Sequence, residues 1–223
     1  MKRLFLVWSV LLFFGLSENV LATRVIPLNL TDLSKEAERI FEGECIALER
    51  TTVMDREGKV EIPAVRYTFK VLDAIKGVAG ETLIISQLGQ SWKKDQFQVN
   101  ADLMSVPRYE VGKTYILFMN KNFGTGLTTP IGLDQGVFDV RAGFAKGRVG
   151  LSETFFAMEA ALKQAGYAGL LPSQEGAAEE GAARGNLQKN GAYKGLETVR
   201  FKALVREMVA GKIQAPSRKE MWK

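Results

Sequence analysis

Apolar and polar residues alternate with a period of two along much of this chain, which is typical of β-strands. The alternation is clearest in VRYTFKV, from Val65 to Val71, where apolar side chains fall on one face and polar ones on the other. Closely spaced strands joined by short turns favour an antiparallel barrel or sandwich, of which we expect the barrel. The other predicted strands are 40–53, 81–88, 114–119, 128–133 and 137–141.

Helical spacing replaces this alternation in three places. Capping residues before good helix formers predict a short helix from about Thr31 to Ile40, and Ser152 begins a second helix within 151–167 that we expect to pack on the barrel. A third, amphipathic helix is predicted at 196–211. Its apolar stripe is expected to pack back on the domain, although a tethered helix that docks into a partner's groove is the alternative. That stripe consists of Phe201, Leu204, Val205, Met208 and Val209.

Residues 1–22 and 168–195 belong neither to the predicted barrel domain at 23–150 nor to the helices that follow it. Residues 1–22 have the form of a secretory signal peptide, with Lys2 and Arg3 before an apolar stretch of 13 residues, and cleavage is predicted after Ala22. A membrane anchor is the alternative, but a spanning helix needs about 20 apolar residues. We therefore expect a periplasmic or secreted protein without a stable membrane span. Residues 168–195, rich in Gly, Ala, Glu and Asn, are expected to be a flexible linker.

Two residue counts restrict the chemistry more than the net charge of +5 does. The chain has no histidine, so it cannot assemble Ser/His/Asp or Cys/His catalysis or a histidine-containing zinc site by itself. Its single cysteine, Cys45, permits no internal disulfide and lies in a predicted strand among apolar neighbours, where a buried core residue is expected. We expect no enzyme activity and assign no catalytic residue.

Partners and cofactors are narrowed in the same way. Neither a phosphate-binding Gly-Lys-Ser loop nor a calcium-loop pattern occurs, so no cofactor and no metal site are expected. Basic residues are interleaved with acidic ones, which together with export disfavours nucleic acid as a partner. One loop, 89–107, combines aromatic and basic side chains as binding barrels do, although its Trp could simply cover the barrel end. The candidate binding residues in that loop are Trp92, Lys93, Lys94 and Phe97.

Two stretches, YTFKVLDAIKG at 67–77 and VGKTYILFM at 111–119, resemble the netrin-like domain. This is the inhibitory domain of the tissue inhibitors of metalloproteinases, and it is similar to bacterial exported proteins of unassigned function. The resemblance extends over about residues 33–141 and also includes Gly-x-Cys at Gly43 to Cys45. It implies a five-stranded OB-like antiparallel barrel with flanking helices.

The animal inhibitors differ from this chain at the residues that inhibit. An N-terminal cysteine held by disulfides clamps the protease zinc in those proteins, whereas the first residue expected here is Thr23. That mechanism therefore does not transfer. We expect an exported, non-catalytic binding or accessory module whose partner is a protein or a cell-envelope component. The alternatives are a modulator of an exported metalloprotease and a module that binds envelope polysaccharide through the 89–107 loop.

Overall fold

Strands dominate this protein, whose computed structural model describes residues 26–89, 106–171, 195–218 and 221. The described strands are β1 (Arg39–Met54), β2 (Glu61–Lys76), β3 (Thr82–Leu88), β4 (Thr114–Met119), β5 (Val137–Arg141), β6 (Phe144–Gly147) and β7 (Leu196–Glu197). They form one sheet in the order β3-β2-β1-β4-β5-β6-β7, with each neighbouring pair antiparallel. The mainly β, antiparallel class expected from the sequence is confirmed.

Four α-helices lie in the described ranges: α1 (Leu30–Glu36), α2 (Leu151–Thr154), α3 (Glu159–Gln164) and α4 (Thr198–Val209). Two 3-10 helices, Leu133–Gly136 and Ala168–Leu170, lie in the same ranges. The predicted export segment at 1–22 lies outside the described residues, as does most of the predicted linker. The linker's first residues are described, and Leu170 among them is buried.

In the described ranges the sheet has seven strands and does not close into the five-stranded barrel that we expected. Past β4, the predicted strand at 128–133 is wrong: Pro130 makes one bridge to Met119, and a 3-10 helix follows. Ile131 still donates its N–H to the Phe118 carbonyl at 2.8 Å, but Gly132 is left-handed with a φ of 58°, so the ladder does not continue past residue 131. The edge of β3 away from β2 meets the chain just before residue 128, through one parallel bridge between Ser86 and Leu127.

Bulges let the β1–β2 ribbon, residues 39–76, serve both faces of the sheet. Leu72 has no opposite residue in β1. Val71 and Asp73, two positions apart, pair with adjacent residues of β1 and therefore point to opposite faces.

Each face covers its own apolar core. The aromatic core, on the face of Val71, consists of Phe41, Cys45, Tyr67, Phe69, Ile85, Tyr109, Tyr115, Leu117, Met119 and Val137. The helix-side core, on the other face, joins strand residues such as Ile40, Ile116, Phe118 and Phe138 to residues of all four helices. Both cores contain side chains that are fully removed from solvent.

The apolar stripe of α4 packs on the sheet, which confirms the expectation that it faces its own domain. Phe201, Leu204 and Val205 are completely buried, and the Phe201 and Phe138 ring centroids lie 4.8 Å apart. Replacing a buried phenylalanine with alanine costs about 3–5 kcal/mol, so this helix contributes strongly to the stability of the fold.

The C-terminal tail is fixed on the start of α1, an arrangement we call the tail clamp. Asn29 and Asp32 form a capping box in which each side chain accepts the other's backbone N–H at 3.1 Å. The Asn29 amide also donates to the carbonyl of Pro216 at 2.9 Å. The Ser217 hydroxyl and the Arg218 backbone N–H both donate to the Asp32 carboxylate.

The single helix predicted at 151–167 is wrong, because two short helices, α2 and α3, occupy this stretch. Ala157, between them, has a φ of 57°, and this left-handed residue ends the helical path. Phe155 and Met158 on either side of it are both buried in the helix-side core. The break therefore keeps the apolar side chains packed on the sheet, as we expected for the longer helix.

We predict that Gly77→Ala destabilises the protein far more than Gly58→Ala. Both glycines have positive φ values, 62° and 70°, so alanine costs about 1 kcal/mol at either position. A Cβ at Gly77 would also lie 2.2 Å from the carbonyl oxygen of Glu38, whereas none of the surrounding atoms comes within 4 Å at Gly58. Chemical denaturation should give a loss at Gly77 that exceeds the loss at Gly58 by at least about 1 kcal/mol. Equal losses would contradict the close approach.

Candidate binding surface

Strand β1 is paired along one edge with β2 but along the other with β4 only from Arg39 to Glu44. One further pair follows, in which Cys45 donates to the Lys113 carbonyl at 2.9 Å and accepts from the Gly112 N–H at 2.7 Å. From residue 46 to residue 54, none of the strands in the described ranges pairs with this edge. We call it the open edge.

Backbone groups of alternate residues face the open edge. The carbonyl of Pro63 accepts the N–H of Gly89 at 2.9 Å and so points away from β1. In an antiparallel pair, the residue opposite such a group also points outward. Thr52, opposite Pro63, therefore directs its N–H and C=O to the open edge, as do Leu48 and Arg50 by the same alternation.

Exposed apolar side chains accompany these backbone groups. Ile46, Leu48 and Met54 are 43%, 46% and 46% exposed, whereas Cys45 just before them is completely buried. An unpaired strand with apolar side chains is a template for pairing with another strand. The chemistry available here is thus main-chain hydrogen bonding combined with apolar contact.

The tip of the ribbon contacts the loop at 120–127, which we call the glycine loop. Arg56 donates from Nε and Nη2 to the carbonyl oxygen of Phe123, at 3.3 and 3.0 Å. Gly124 and Gly126 have φ values of 80° and 81°, which permit the tight turn closed by the hydrogen bond from Phe123 N–H to the Leu127 carbonyl at 2.9 Å. The Phe123 side chain is 47% exposed.

A ring of buried tyrosines supports the ribbon from within. Tyr109 packs edge-to-face on Tyr67 and Tyr115, with centroid distances of 4.9 and 5.2 Å. Burial raises the pKa of Tyr109, so its hydroxyl stays protonated and lies 3.4 Å from Nε2 of Gln87. The interlocked rings make this part of the sheet a rigid base for the surface above it.

Arg148 connects the tyrosines to β5 and to the 3-10 helix that precedes it. Its guanidinium carbon lies 5.8 Å from the Tyr109 ring centroid and 5.7 Å from that of Tyr115. The same group pairs with Asp134 and Asp139, each at 3.3 Å. Since its charge is already balanced, we assign Arg148 a structural role.

The four residues predicted from sequence as a binding cluster, Trp92, Lys93, Lys94 and Phe97, lie outside the described residues. The structure describes only the two ends of their loop. One end, at Gly89, is held on Pro63, and the other leads into the buried Tyr109. Their role in binding stays a prediction.

Cys45 lies in the aromatic core, as the sequence predicted. Burial raises the pKa of its thiol, and the backbone carbonyl of Ala47, 3.7 Å from the sulfur, is its hydrogen-bond acceptor. A protonated, enclosed thiol is a poor nucleophile. These surroundings fit a packing role.

An ion cluster that the sequence did not reveal lies between α4 and the ribbon. Lys202 pairs with Glu42 and with Asp73, the latter at 2.8 Å, and Arg206 also pairs with Asp73. The Lys202, Glu42 and Asp73 side chains are largely buried. Burial alone would raise the pKa of Asp73, but hydrogen bonds and charge from Lys202 and Arg206 outweigh burial and hold it below its ordinary value. We infer that the cluster fixes α4 on the sheet.

We predict that this cluster makes stability fall in acid. A carboxylate whose pKa is lowered by folding contributes stability above its unfolded pKa of about 4, and loses that contribution as the pH falls through the folded value. Asp73→Asn should therefore lower the free energy of unfolding at pH 7 by about 1–3 kcal/mol and flatten its dependence on pH below about 4. Denaturation across this pH range measures both effects.

The matched control is Glu57→Gln, which removes an exposed pair with Lys59 at 2.8 Å. Exposed pairs contribute about 0–1 kcal/mol, so this variant should differ little from the parent protein. An acid limb that stays unchanged in Asp73→Asn would show that Asp73 does not govern it.

None of the described helices is long and apolar enough to cross a membrane. Within the same ranges, no three His, Cys, Asp or Glu side chains are grouped so that they could hold a metal ion. In comparisons with known proteins, no protein-family model and no curated protein matches this chain.

Proposed function

We propose that this protein is an exported, non-catalytic binding module that receives an extended polypeptide along the open edge. The observation that carries the proposal is the stretch of β1 at 46–54 that the described strands leave unpaired, where exposed apolar side chains accompany outward-facing backbone groups. A segment that adds to a sheet edge gains affinity from main-chain hydrogen bonds and specificity from alternate side chains. Nine residues of strand, about 30 Å, are long enough for such pairing.

The charges of the ribbon favour a polypeptide over a nucleic acid. Acidic and basic side chains alternate on it, including Glu49 paired with Arg66 at 3.3 Å and Glu57 paired with Lys59 at 2.8 Å. A nucleic acid requires a surface of mainly positive charge along its backbone. A polypeptide tolerates both signs and uses the backbone groups that the open edge presents.

The non-catalytic part of the proposal is supported by residue chemistry. The chain has no histidine, and its only thiol, Cys45, is enclosed and protonated. Glu42 and Asp73, two carboxylates that meet at Lys202, are already engaged by that lysine. Each of these groups is occupied by a packing or ion-pair contact within the protein, which supports a structural role.

Strand order supports an OB-type origin for the part of the sheet around β1. β1 lies between β2 and β4, β3 follows β2, and the edge of β3 meets the segment after β4 in parallel at Ser86 and Leu127. OB folds bind ligands on the face of their second and third strands and at the loops after the first and fourth strands. Here the corresponding loops are the ribbon tip and the glycine loop, which contact each other through Arg56.

The exported part of the proposal rests on residues 1–22 and is tested separately. We expect that the protein recovered from outside the cytoplasm of a secreting host begins at Thr23, because Ala22 ends the predicted signal peptide. Intact-mass measurement and N-terminal sequencing identify the first residue. A chain that keeps Met1 and stays with the membrane fraction would contradict export by cleavage.

We predict that Thr52→Pro abolishes binding of extended peptides while the fold is retained. Proline removes an N–H that faces the open edge, and proline is tolerated where that group faces solvent. Peptides selected on the full-length protein from a displayed library of random twelve-residue segments provide the probe. Their affinity, measured by fluorescence anisotropy, should fall at least about tenfold, which is about 1.4 kcal/mol.

Thr82→Pro is the matched control. Thr82 begins β3 and, because Val71 donates to Glu81 at 2.8 Å, it points to the opposite edge of the sheet. This variant should bind the selected peptides as tightly as the parent does, and thermal unfolding should show that both variants remain folded. Equal binding by parent and Thr52→Pro, or failure to select any peptide, would overturn the proposal.

A further inference from the structure

We propose that the bound polypeptide carries a short acidic run beside its paired stretch, and that cations around the glycine loop recognise this run. The inference rests on the proposed function, because pairing on the open edge brings the acidic run to the loop. It assigns a specific chemistry to the partner.

Two arginines donate hydrogen bonds to the glycine loop, and their acceptors there do not balance the positive charge. Arg56 donates to the carbonyl oxygen of Phe123 at 3.3 and 3.0 Å, and Arg39 donates to Oδ1 of Asn122 at 3.4 Å. Both acceptors are neutral. A guanidinium has five N–H donors, so each arginine keeps donors and a full positive charge for a further partner.

Lys121 adds a third positive charge in the glycine loop. The acidic residues on either side of Arg56 accept hydrogen bonds from other groups, Asp55 from backbone N–H groups and Glu57 from Lys59. Lys121 is exposed, and no carboxylate pairs with it or with either arginine in the described ranges. Asp55 accepts backbone N–H groups from Lys59 and from residue 60, at 2.7 and 3.2 Å. These bonds, the one from Lys59 foremost, hold the pKa of Asp55 below its ordinary value and keep it ionised.

Position links the cations to the open edge. Arg56 follows Met54, the last residue of that edge, by two positions, about 7 Å of extended chain. A segment that pairs along the edge and continues past Met54 therefore reaches Arg56. Carboxylate pairs with arginine in a charge-assisted, often bidentate geometry, and the exposed Phe123 ring offers apolar contact beside it.

The acidic partner is a polypeptide because the cations around the glycine loop lie at one end of the binding surface. Acidic and basic side chains alternate along the rest of the ribbon, with Glu49 paired with Arg66 and Glu57 paired with Lys59, so a ligand with negative charge at every unit gains no net attraction over most of its length. A segment with an uncharged paired stretch and a few terminal carboxylates places its charge only where the cations are. Charge complementarity thus selects an acidic peptide over a uniform polyanion.

The test uses three synthetic peptides that share a paired stretch of alternating Val and Thr and differ only in their flanks. The flanks, placed in turn at either end, are four Glu, four Gln or four Lys residues. We expect the Glu peptide to bind the full-length protein about tenfold more tightly than the Gln peptide, with a difference that shrinks as salt is added. The Lys peptide should bind most weakly.

The double variant Arg56→Gln/Lys121→Gln should reduce the Glu-to-Gln affinity ratio to less than about twofold. The control is Lys146→Gln/Lys212→Gln, which removes the same charge from exposed positions elsewhere and should keep the ratio. Thermal unfolding of both double variants checks that they fold as the parent does.

The outcomes separate this inference from the proposed function. If Thr52→Pro weakens all three peptides but the Glu and Gln peptides bind equally to the parent, the open edge is confirmed and the acidic preference is overturned. If Thr52→Pro weakens none of them, both proposals fall. Polygalacturonate or single-stranded DNA that binds as tightly as the Glu peptide would also overturn the inference, because the cations would then recognise any polyanion.

Discussion

The change of face along β2 is the constraint on which the rest of this structure depends. A strand whose apolar and polar residues alternate without a break places its apolar side chains in one core and its polar side chains on the opposite face, which usually contacts solvent. Because Leu72 has no opposite residue in β1, the β1–β2 ribbon places Val71 in the aromatic core and Asp73 on the helix side. One ribbon thereby organises both the tyrosines beneath the open edge and the ion cluster under α4.

Regular patterns in the sequence predict most of this architecture. Alternation at 65–71 locates the middle of β2, and a continuous apolar run locates β4 at its exact bounds. Helical spacing identifies the buried stripe of α4 around Phe201 and Leu204. These predictions succeed because each depends on neighbouring residues that share one environment. The burial of Cys45 follows from the same local reasoning.

Features set by distant residues or by single backbone conformations could not be predicted in this way. Nothing near Leu72 marks a bulge, and the left-handed Ala157 that divides the predicted helix carries no glycine signal. The pairing of Lys202 with Asp73 and the contact of Arg56 with Phe123 join residues that are far apart in sequence. The candidate surface was missed for the same reason, since an unpaired edge is defined by where β4 ends and not by any residue of β1.

The buried cores hold the open edge in a fixed conformation. The edge belongs to a ribbon that packs on buried tyrosines, so its backbone is already ordered. Under the proposed function, a partner would not have to supply the free energy of ordering it. At its end the glycine loop lies between two arginines, which keeps charge next to the place where pairing stops. Under the proposed function, backbone pairing and charge would act at successive points along the ribbon.

The tail clamp has a consequence for how the molecule is made. Asp32 receives hydrogen bonds from residues 185 and 186 positions later, so the start of α1 reaches its final state only after residues 217 and 218 have been synthesised. Contacts between such distant parts of a sequence close slowly. Until α4 and the tail are synthesised, the sheet face around Phe118 and Phe138 lacks part of its cover. An incomplete chain therefore exposes apolar surface there, which promotes aggregation of nascent proteins.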